Sequence, residues 1–436
     1  MEDEKDKKKD KDAVRRLTQA ELESVIKKHE DFISGRKGGM RAQLAHCMLE
    51  GLSFVGRDMS DADFTGASLA GADFSDSKLE RAILFCVDLR GANLSGASLK
   101  NADLRGASLR GANMVGANMV GIDLRDGSLS NTDGSGELKE AHKELSVVDK
   151  GGANLSGAKL NNAKMSGAVA VGSNFSDATM KGAKIRKASL KDADFSGTNL
   201  ENADLSDCDL ENVTLRGANL VGTSINLSEV SKQNLEGAMT SAPVGKTLKD
   251  LPAPLEQLLV LHKVWIDSNG KNGKQLDISD MDLRGSRGIA GQCLTLVKAR
   301  RAILYDLDFS RAELQGCDLR EADLRCINLS SADVRGTDFR KAQVKNANMQ
   351  GAYLQPLILG NGRVMATNFT GASLRYSNLS KANLRQVIFR EADLCDSDFR
   401  GADITDADFT DANIDGAHFD PEQEELLKKF LDKSSS

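Results

Sequence analysis

A five-residue repeat constrains the fold of this chain more than any other feature of its sequence. Across residues 87–121 a leucine or methionine stands at every fifth position, and a small or apolar residue, mostly alanine, stands two positions before each. An amphipathic helix needs apolar residues at a period of about 3.6, and a half-buried strand needs a period of about 2. A period of five fits neither. It predicts a coil that turns one corner in each unit, buries two residues per unit and stacks as a solenoid.

The first repeat array is expected at residues 44–226. Its fifth-position residue is apolar in every unit up to Leu129, and the pattern resumes at Leu155. The spacing between these two leucines is one longer than a multiple of five, so the register slips between them. Residues 130–152 break the pattern with a glycine-containing stretch and a charged stretch, which predict an inserted loop and a short helix.

The second repeat array is expected at residues 278–420. It begins with two units, is interrupted at 284–301, and keeps the period from Leu304 to Phe419. The unusual stretch 354–369 is predicted to stay in register, with a local bulge at its glycines, because its apolar residues are still five apart. Those residues are Leu354, Leu359, Val364 and Phe369. Twelve of the 15 phenylalanines stand at the fifth position, which marks that position as the core.

The segments outside the arrays are expected to be caps and connectors. Thr18 and Glu21 form a capping-box pattern, which predicts a helix from there to about Ile33. The last helix is expected to be either a lid on the final coil or a homodimer contact. The predicted segments are a disordered charged tail at 1–17, an N-terminal capping helix and leader loop at 18–43, a linker, helix and second leader at 227–277, and a C-terminal helix and tail at 421–436.

The two leaders resemble each other, which indicates that the chain restarts before the second array. The matched pairs are His29 with His262, Phe32 with Trp265, Gly35 with Gly270 and Gly38 with Gly273. Because the two histidines stand at equivalent places, we expect them to share a role. We interpret each as a hydrogen-bonded residue at a helix end, with a ligand site as the alternative.

Units such as ADFTG, ANLSG, ADLRG and ASLRG match the pattern A(D/N)LXX, so the chain resembles the pentapeptide repeat family from about Leu44 to Phe419. The resemblance implies an all-β solenoid, specifically a right-handed quadrilateral β-helix with four units per coil and short capping helices. It also implies that the leucine or phenylalanine column and the alanine column point inward.

Composition argues against several functional classes. A formal net charge of -6 gives no global basic field for nucleic acid or for an anionic membrane. No apolar run reaches the roughly 18 residues of a spanning helix, and no signal peptide is evident, so we expect a cytoplasmic protein without a membrane contact. The seven cysteines include no CxxC pair and the five histidines are scattered, so we expect no metal site, no cofactor and no enzyme activity.

Charge is most uneven near the C-terminus, where residues 391–425 hold 13 acidic residues against Arg400 alone. We expect a non-enzymatic scaffold for protein-protein interaction, with this acidic end contacting a partner, although like charges also simply keep the end of a β-rich rod soluble. The candidate interaction residues are Asp393, Asp396, Asp398, Asp403, Asp406, Asp408, Asp411 and Asp415.

An alternative function comes from the family resemblance. Family members that act against quinolones carry acidic rods that mimic duplex DNA and bind topoisomerase. The alternative is therefore a DNA-mimicking regulator of DNA gyrase or topoisomerase. In this chain, however, the acidic residues are concentrated at one end of the second array, and the first array shows no acidic stretch of this kind.

Overall fold

The computed structural model describes residues 15–127, 152–360, 362–425 and 427. The chain divides into two compact units, Met1–Ser241 and Ala242–Ser436. Most of the predicted charged tail, and the predicted insert except for Gly152, lie outside the described residues. The end of that predicted tail is part of the fold, because Arg16 forms a parallel bridge with Met48 and Leu17 is only 5% exposed.

Four repeats of the five-residue pattern make one turn of the coil in the first unit. Gln43 forms a parallel bridge with Asp63, and Asp63 forms one with Ile83, so each coil is four repeats long. The amide of Leu44 donates to the carbonyl of Asp63 at 2.7 Å, and the same bond recurs along the array. A constant step places like residues above one another, which is why the sequence repeat becomes columns of side chains.

Each repeat has three positions that recur below. The core residue is the leucine, methionine or phenylalanine that points inward; the side residue directly precedes it; and the corner residue follows it by two positions. Corner residues take positive φ, for example 63° at Asp61 and 61° at Gly66, and glycine, asparagine and aspartate tolerate that conformation best. At Gly66 a side chain would also collide with His46, since an added Cβ would lie 2.7 Å from its Nδ1 atom.

The core columns are closely packed, as the phenylalanine positions predict. Eleven of the twelve fifth-position phenylalanines are at most 4% exposed, and Phe419 in the last coil is partly buried. Rings of successive coils stack face to face, with centroids 4.7 Å apart for Phe175 and Phe195 and 4.5 Å apart for Phe339 and Phe369. The inward assignment of this column is therefore confirmed.

The first array breaks earlier than the period indicates. The amide of Ala153 donates to the carbonyl of Leu124 at 2.7 Å, which is the bond that closes an ordinary corner elsewhere. Leu155 therefore follows Leu124 in the core column and occupies the place predicted for Leu129, which itself lies outside the described residues. That placement of Leu129 is wrong because Leu155 already fills this place, although a leucine five positions after Leu124 matches the period.

The second unit begins with an irregular coil. Strand β1 (Lys246–Thr247) pairs in parallel with β2 (Met281–Asp282). The first coil is one residue longer than four repeats, as the bridge between Asp277 and Lys298 shows, and the next coils have the usual length. Leu294 and Ala299 already stand in the core column, at 3% and 1% exposure, so the predicted interruption at 284–301 is shorter than expected. The sequence did not reveal these two repeats because the extra residue shifts the period and because alanine, and not leucine, occupies one of the core positions.

A hairpin leaves the second array where the sequence predicts continuous repeats. Strands β3 (Leu357–Ile358) and β4 (Val364–Met365) pair antiparallel, and the coil that contains them spans six repeats, from Asp338 to its bridge partner Asn368. Leu359 and Val364 are therefore not core residues, and Val364 is 60% exposed. The insertion is two repeats long, so the period of five continues through it unchanged and gives no sign of it.

A helix precedes the first regular coil in each unit. Helix α1 (Gln19–Ile33) begins with the predicted capping box of Thr18 and Glu21, and it buries Leu22, Ile26 and His29. Helix α2 (Leu255–Asp267) buries Leu258, Leu259 and His262. The short 3₁₀ segments are Leu227–Glu229, Lys232–Leu235 and Leu248–Asp250.

At the other end of the second unit, a helical segment follows Asp420. The Gln423 side chain donates to the carbonyls of Phe399 and Ala402, at 3.0 and 2.6 Å, and Leu427 is 6% exposed against the core. This segment therefore covers part of the final coil, as expected of a lid, whereas its role as a dimer contact stays a prediction. None of the helices in the described residues is long and apolar enough to cross a membrane.

Candidate functional site

The eight candidate aspartates occupy different positions in their repeats. Four of them are side residues, and each of these accepts a hydrogen bond from the backbone amide two positions later. The distances are 3.3 Å from Cys395 to Asp393, 3.0 Å from Arg400 to Asp398, 3.1 Å from Thr405 to Asp403 and 3.1 Å from Thr410 to Asp408. Asp63 makes the same bond with Thr65 in the first unit. These four carboxylates therefore help to form the turn of the coil.

The four side carboxylates also have arginine partners. Asp398 binds Arg400 through two hydrogen bonds of 2.9 and 2.7 Å. The other three pair with arginines of the preceding coil. These ion pairs are Asp393 with Arg375 at 3.6 Å, Asp403 with Arg385 at 3.4 Å, and Asp408 with Arg390 at 2.5 Å. The acidic count along the sequence missed these partners because three of them precede residue 391.

The pKa values of three side carboxylates reflect these contacts. Burial raises the pKa of the Asp398 carboxyl, but the hydrogen bonds and charge of Arg400 outweigh burial, and the net pKa lies below the usual range. Burial likewise raises the pKa of Asp403 and Asp408, while the hydroxyl and amide of the following threonine and the neighbouring arginine lower it further than burial raises it. All three therefore remain charged at neutral pH.

The other four candidates lie at or beside corners. Asp396, Asp406 and Asp411 are corner residues with φ of 55–56°, and Asp415 stands one position before a corner glycine. Asp406 and Asp411 are exposed, and neither forms a hydrogen bond through its side chain or an ion pair with the described residues. The structure thus separates the side carboxylates, which have arginine partners, from the corner carboxylates of Asp406 and Asp411, which project at the edges of the coil, while Asp396 is half-buried.

The candidates do not form one continuous surface. Asp393, Asp398, Asp403 and Asp408 belong to four different bridge ladders, whose partners are Asn413, His418, Asn383 and Ile388. Successive repeats lie on successive sides of the coil, so these side residues surround it. The acidic end is therefore a ring around the last coils, and the single acidic face expected for a competitor of DNA is not present among the described residues.

The leader histidines form nearly identical contacts in the two units. The amide of Ala42 donates to Nδ1 of His29 at 3.0 Å, and Nε2 of His29 lies 3.0 Å from the carbonyl of Ser60. The amide of Leu276 donates to Nδ1 of His262 at 3.1 Å, and Nε2 lies 3.0 Å from the carbonyl of Thr295. Both rings are 0% exposed. The predicted hydrogen bonding of both residues is confirmed, but each lies within its helix, more than one turn before the helix ends.

The glycines of the leaders pair differently from the sequence alignment. An added Cβ at Gly39 would collide with the amide nitrogen of Phe32, and one at Gly273 would collide with the amide nitrogen of Trp265. Gly39, and not Gly38, is thus the counterpart of Gly273 in packing against its helix. The stretch between the histidine and the amide that donates to its ring is one residue longer in the second leader than in the first. This difference displaced the glycines in the sequence alignment.

The described residues show little that could support chemistry. No group of three or more histidine, cysteine or acidic residues among them could hold a metal ion. All seven cysteines are free thiols, and burial raises the pKa of Cys317 to about 12. An open groove of about 560 Å³ beside α1 is lined mainly by charged side chains that pair with each other, such as Arg57 with Glu23 at 2.6 Å.

Sequence reasoning missed a recurring Asp–Arg clamp, in which a side aspartate binds the arginine directly after the core residue. Asp323 and Arg325 form such a clamp at 2.6–2.8 Å, and the Arg325 guanidinium lies 5.2 Å from the centre of the Tyr305 ring. The same contact joins Asp88 to Arg90 and Asp103 to Arg105. The triplet Asp-Leu-Arg, which recurs in the sequence, is the signal that could have identified these clamps.

Comparisons with known proteins agree with this architecture. The sequence profile of a family described as pentapeptide repeats matches residues 40–126, 153–226, 293–355 and 366–420, more than half of the chain. The unmatched stretches include residues 127–152, which contain the predicted insert, and residues 356–365, which contain the hairpin. A search of proteins with curated functions gave no significant match.

Several solved structures also match. HetL, a pentapeptide repeat protein involved in heterocyst differentiation regulation from the cyanobacterium Nostoc sp. strain PCC 7120, is 18% identical, with 89% of this chain and 93% of that chain covered and a TM-score of 0.19. QnrB1, a plasmid-mediated fluoroquinolone resistance protein, is 19% identical over 46% and 87% of the chains, with a TM-score of 0.24. Rfr23 from the cyanobacterium Cyanothece 51142 is 31% identical over 29% and 86%, with a TM-score of 0.14. TM-scores this low establish no shared overall shape.

Proposed function

Because the chain belongs to the pentapeptide repeat family, we propose that it is a non-enzymatic scaffold that binds a protein partner through the acidic end of its second array. Together with this role, we infer that the coils form a right-handed quadrilateral β-helix, that the protein is cytoplasmic, and that two copies associate through the C-terminal helix. The observation that supports the binding role is the division of the acidic end. Its side carboxylates already have arginine partners, whereas Asp406 and Asp411 project at corners without them.

The corner carboxylates suggest the chemistry of the partner. Asp411 stands one coil beyond Glu391 at the same corner, since the Glu391 amide donates to the carbonyl of Thr410 at 2.9 Å. Stacked strands are about 4.8 Å apart, so two like charges lie close together along this edge. A basic patch on a protein would relieve their repulsion and form charge-assisted hydrogen bonds. This reasoning reduces the eight candidates to Asp406 and Asp411.

The test is a comparison of three forms of the full chain as bait in a native lysate. We expect the variant with Asp406→Asn and Asp411→Asn to bind its partner about tenfold more weakly than the unchanged chain, equivalent to about 1.4 kcal/mol. The control carries Asp192→Asn and Asp207→Asn, which neutralise corner residues of the first unit with the same positive φ, 59°. Equal retention of the same partners by both variants would contradict the assignment of the surface.

Regulation of DNA gyrase is the alternative, and the geometry does not favour it. A mimic of duplex DNA needs carboxylates aligned along a rod, whereas here the side carboxylates are paired with arginines and point to four sides. We expect the purified protein to leave gyrase supercoiling unchanged. Inhibition that disappears in the variant with Asp406→Asn and Asp411→Asn would instead support the alternative.

A further inference from the structure

We propose that His29 and His262 are acid-sensitive latches, and that protonation of each ring releases its capping helix and leader from the first coil of its unit. Each ring joins three parts of the fold. It lies on the helix, it accepts from a leader amide through Nδ1, and it faces a coil carbonyl through Nε2. Loss of one ring contact therefore loosens the helix, the leader and the coil edge together.

The hydrogen bonds fix the charge state in which the latch is closed. A backbone amide can only donate, so Nδ1 must carry no proton, and the single ring proton belongs on Nε2, which donates to the carbonyl. An imidazolium ion carries a proton on both nitrogens. At His29 the new Nδ1 proton would then point at the Ala42 amide hydrogen, and at His262 it would point at the Leu276 amide hydrogen. Protonation thus converts a hydrogen bond into a repulsive contact and buries a positive charge.

The surroundings of the two rings differ in charge. Asp58 and Asp61 favour the charged form of His29, and Arg41 opposes it. The groups that act on His262 are the carbonyls of Thr295 and Leu294, with no charged side chain among them. Burial is the largest influence at both rings and lowers both pKa values, in each case against carbonyl hydrogen bonds that raise them.

The direction of the pH effect follows from these lowered values. An unfolded histidine has a pKa of about 6.5, so at lower pH the open or unfolded state binds more protons than the closed cap. The stabilisation by the latch is complete above that pH and is lost as pH falls through the lower pKa of the folded state. Asp58 and Asp61 favour the charged His29 ring while the first cap is still closed, so they reduce the drive of acid to open that cap, whereas no charged side chain does so at His262.

Trp265 offers a direct test because it is the single tryptophan of the chain and stacks on His262, with ring centroids 5.8 Å apart. Quenching of its fluorescence by acrylamide reports the opening of the second cap. In the full chain we expect quenching to increase as pH falls below about 6.5. His262→Asn should remove this pH dependence, since asparagine can accept from the Leu276 amide but does not titrate. His29→Asn is the matched control and should keep it.

Quenching that rises equally in the unchanged chain and in His262→Asn would overturn the proposal for the second latch, and so would quenching that does not change with pH. If His262→Asn does not fold, hydrogen exchange in the unchanged chain decides the question. Protection of the Ala42 and Leu276 amides, corrected for the intrinsic effect of pH, should fall at least tenfold on acidification, while the Leu104 amide in the middle of the first array stays protected. Unchanged protection at Ala42 and Leu276 would refute both latches.

Discussion

Replacing Phe389 by alanine should be among the most damaging single changes in the second unit. Its ring is fully buried and lies between Phe369 and Phe409, with centroids 5.3 and 5.2 Å away, and it meets Phe399 edge-on at 6.0 Å. Truncation of a buried phenylalanine costs about 3–5 kcal/mol, and three ring partners place this one near the upper end. Each coil packs only against the coils directly before and after it. The cavity therefore weakens the packing of this coil against both of them.

The assay is urea denaturation followed by far-ultraviolet circular dichroism and by Trp265 emission, which lies in the same unit. Phe85→Ala in the first unit is the control and is followed by circular dichroism, because Phe85 directly follows a core leucine and its ring lies 5.3 Å from the Arg105 guanidinium. A partly exposed cation–π contact is worth about 0.5–1 kcal/mol, so the control should lose far less stability. Similar losses for the two variants would refute the assignment of the core column.

Three further changes test other parts of the fold. Deletion of 356–365 together with Ala366→Gly should change the free energy of unfolding by no more than about 1 kcal/mol in thermal melts, because the coil returns to its usual length and glycine suits the new corner. Thr18→Ala should cost about 1 kcal/mol through loss of the capping box, whereas Thr18→Ser should be nearly neutral. Asp282 is buried beside Arg284, and its hydrogen bonds and this charge lower the pKa of its carboxyl more than burial raises it. The charged carboxylate therefore stabilises the fold above about pH 4, and this stabilisation is lost as the pH falls further. In melts below that pH, the melting temperature of Asp282→Asn should fall less steeply with pH than that of the unchanged chain.

The sequence predicts the columns and the caps because local sterics and short-range hydrogen bonds determine them. A period of five leaves only one arrangement in which Phe389 and its equivalents are buried, and the capping box requires only Thr18 and Glu21. The hydrogen bonding of the two leader histidines was also accessible, since an equivalent position in two similar leaders implies an equivalent contact. Each of these features depends on neighbours that are close in sequence or related by the repeat.

The insertions were less predictable because the period shows where a residue lies within its repeat but not whether that repeat belongs to the coil. The hairpin at 356–365 is two repeats long and leaves the period unchanged, so Leu359 and Val364 matched the core pattern although neither is a core residue. Leu129 matched it by coincidence. Ala299 had the opposite effect, since an alanine at the core position concealed a repeat that does lie in the coil. Repeats that belong to the coil can be distinguished from those that do not only by their hydrogen-bond partners in the next coil.

Charge on a solenoid has to be counted across coils as well as along the chain. A side carboxylate has neighbours two positions later and in the adjacent coils, and the pairs of Asp393, Asp403 and Asp408 with arginines of the preceding coil follow from a coil of four repeats. A window along the sequence therefore overstates the charge of such an end. Corner residues differ, because aspartate tolerates their positive φ whether or not it also forms an ion pair, as Asp61 does with Arg81. Asp406 and Asp411 thus carry charge that the coil does not need for its own stability, which makes them the residues most available to a partner.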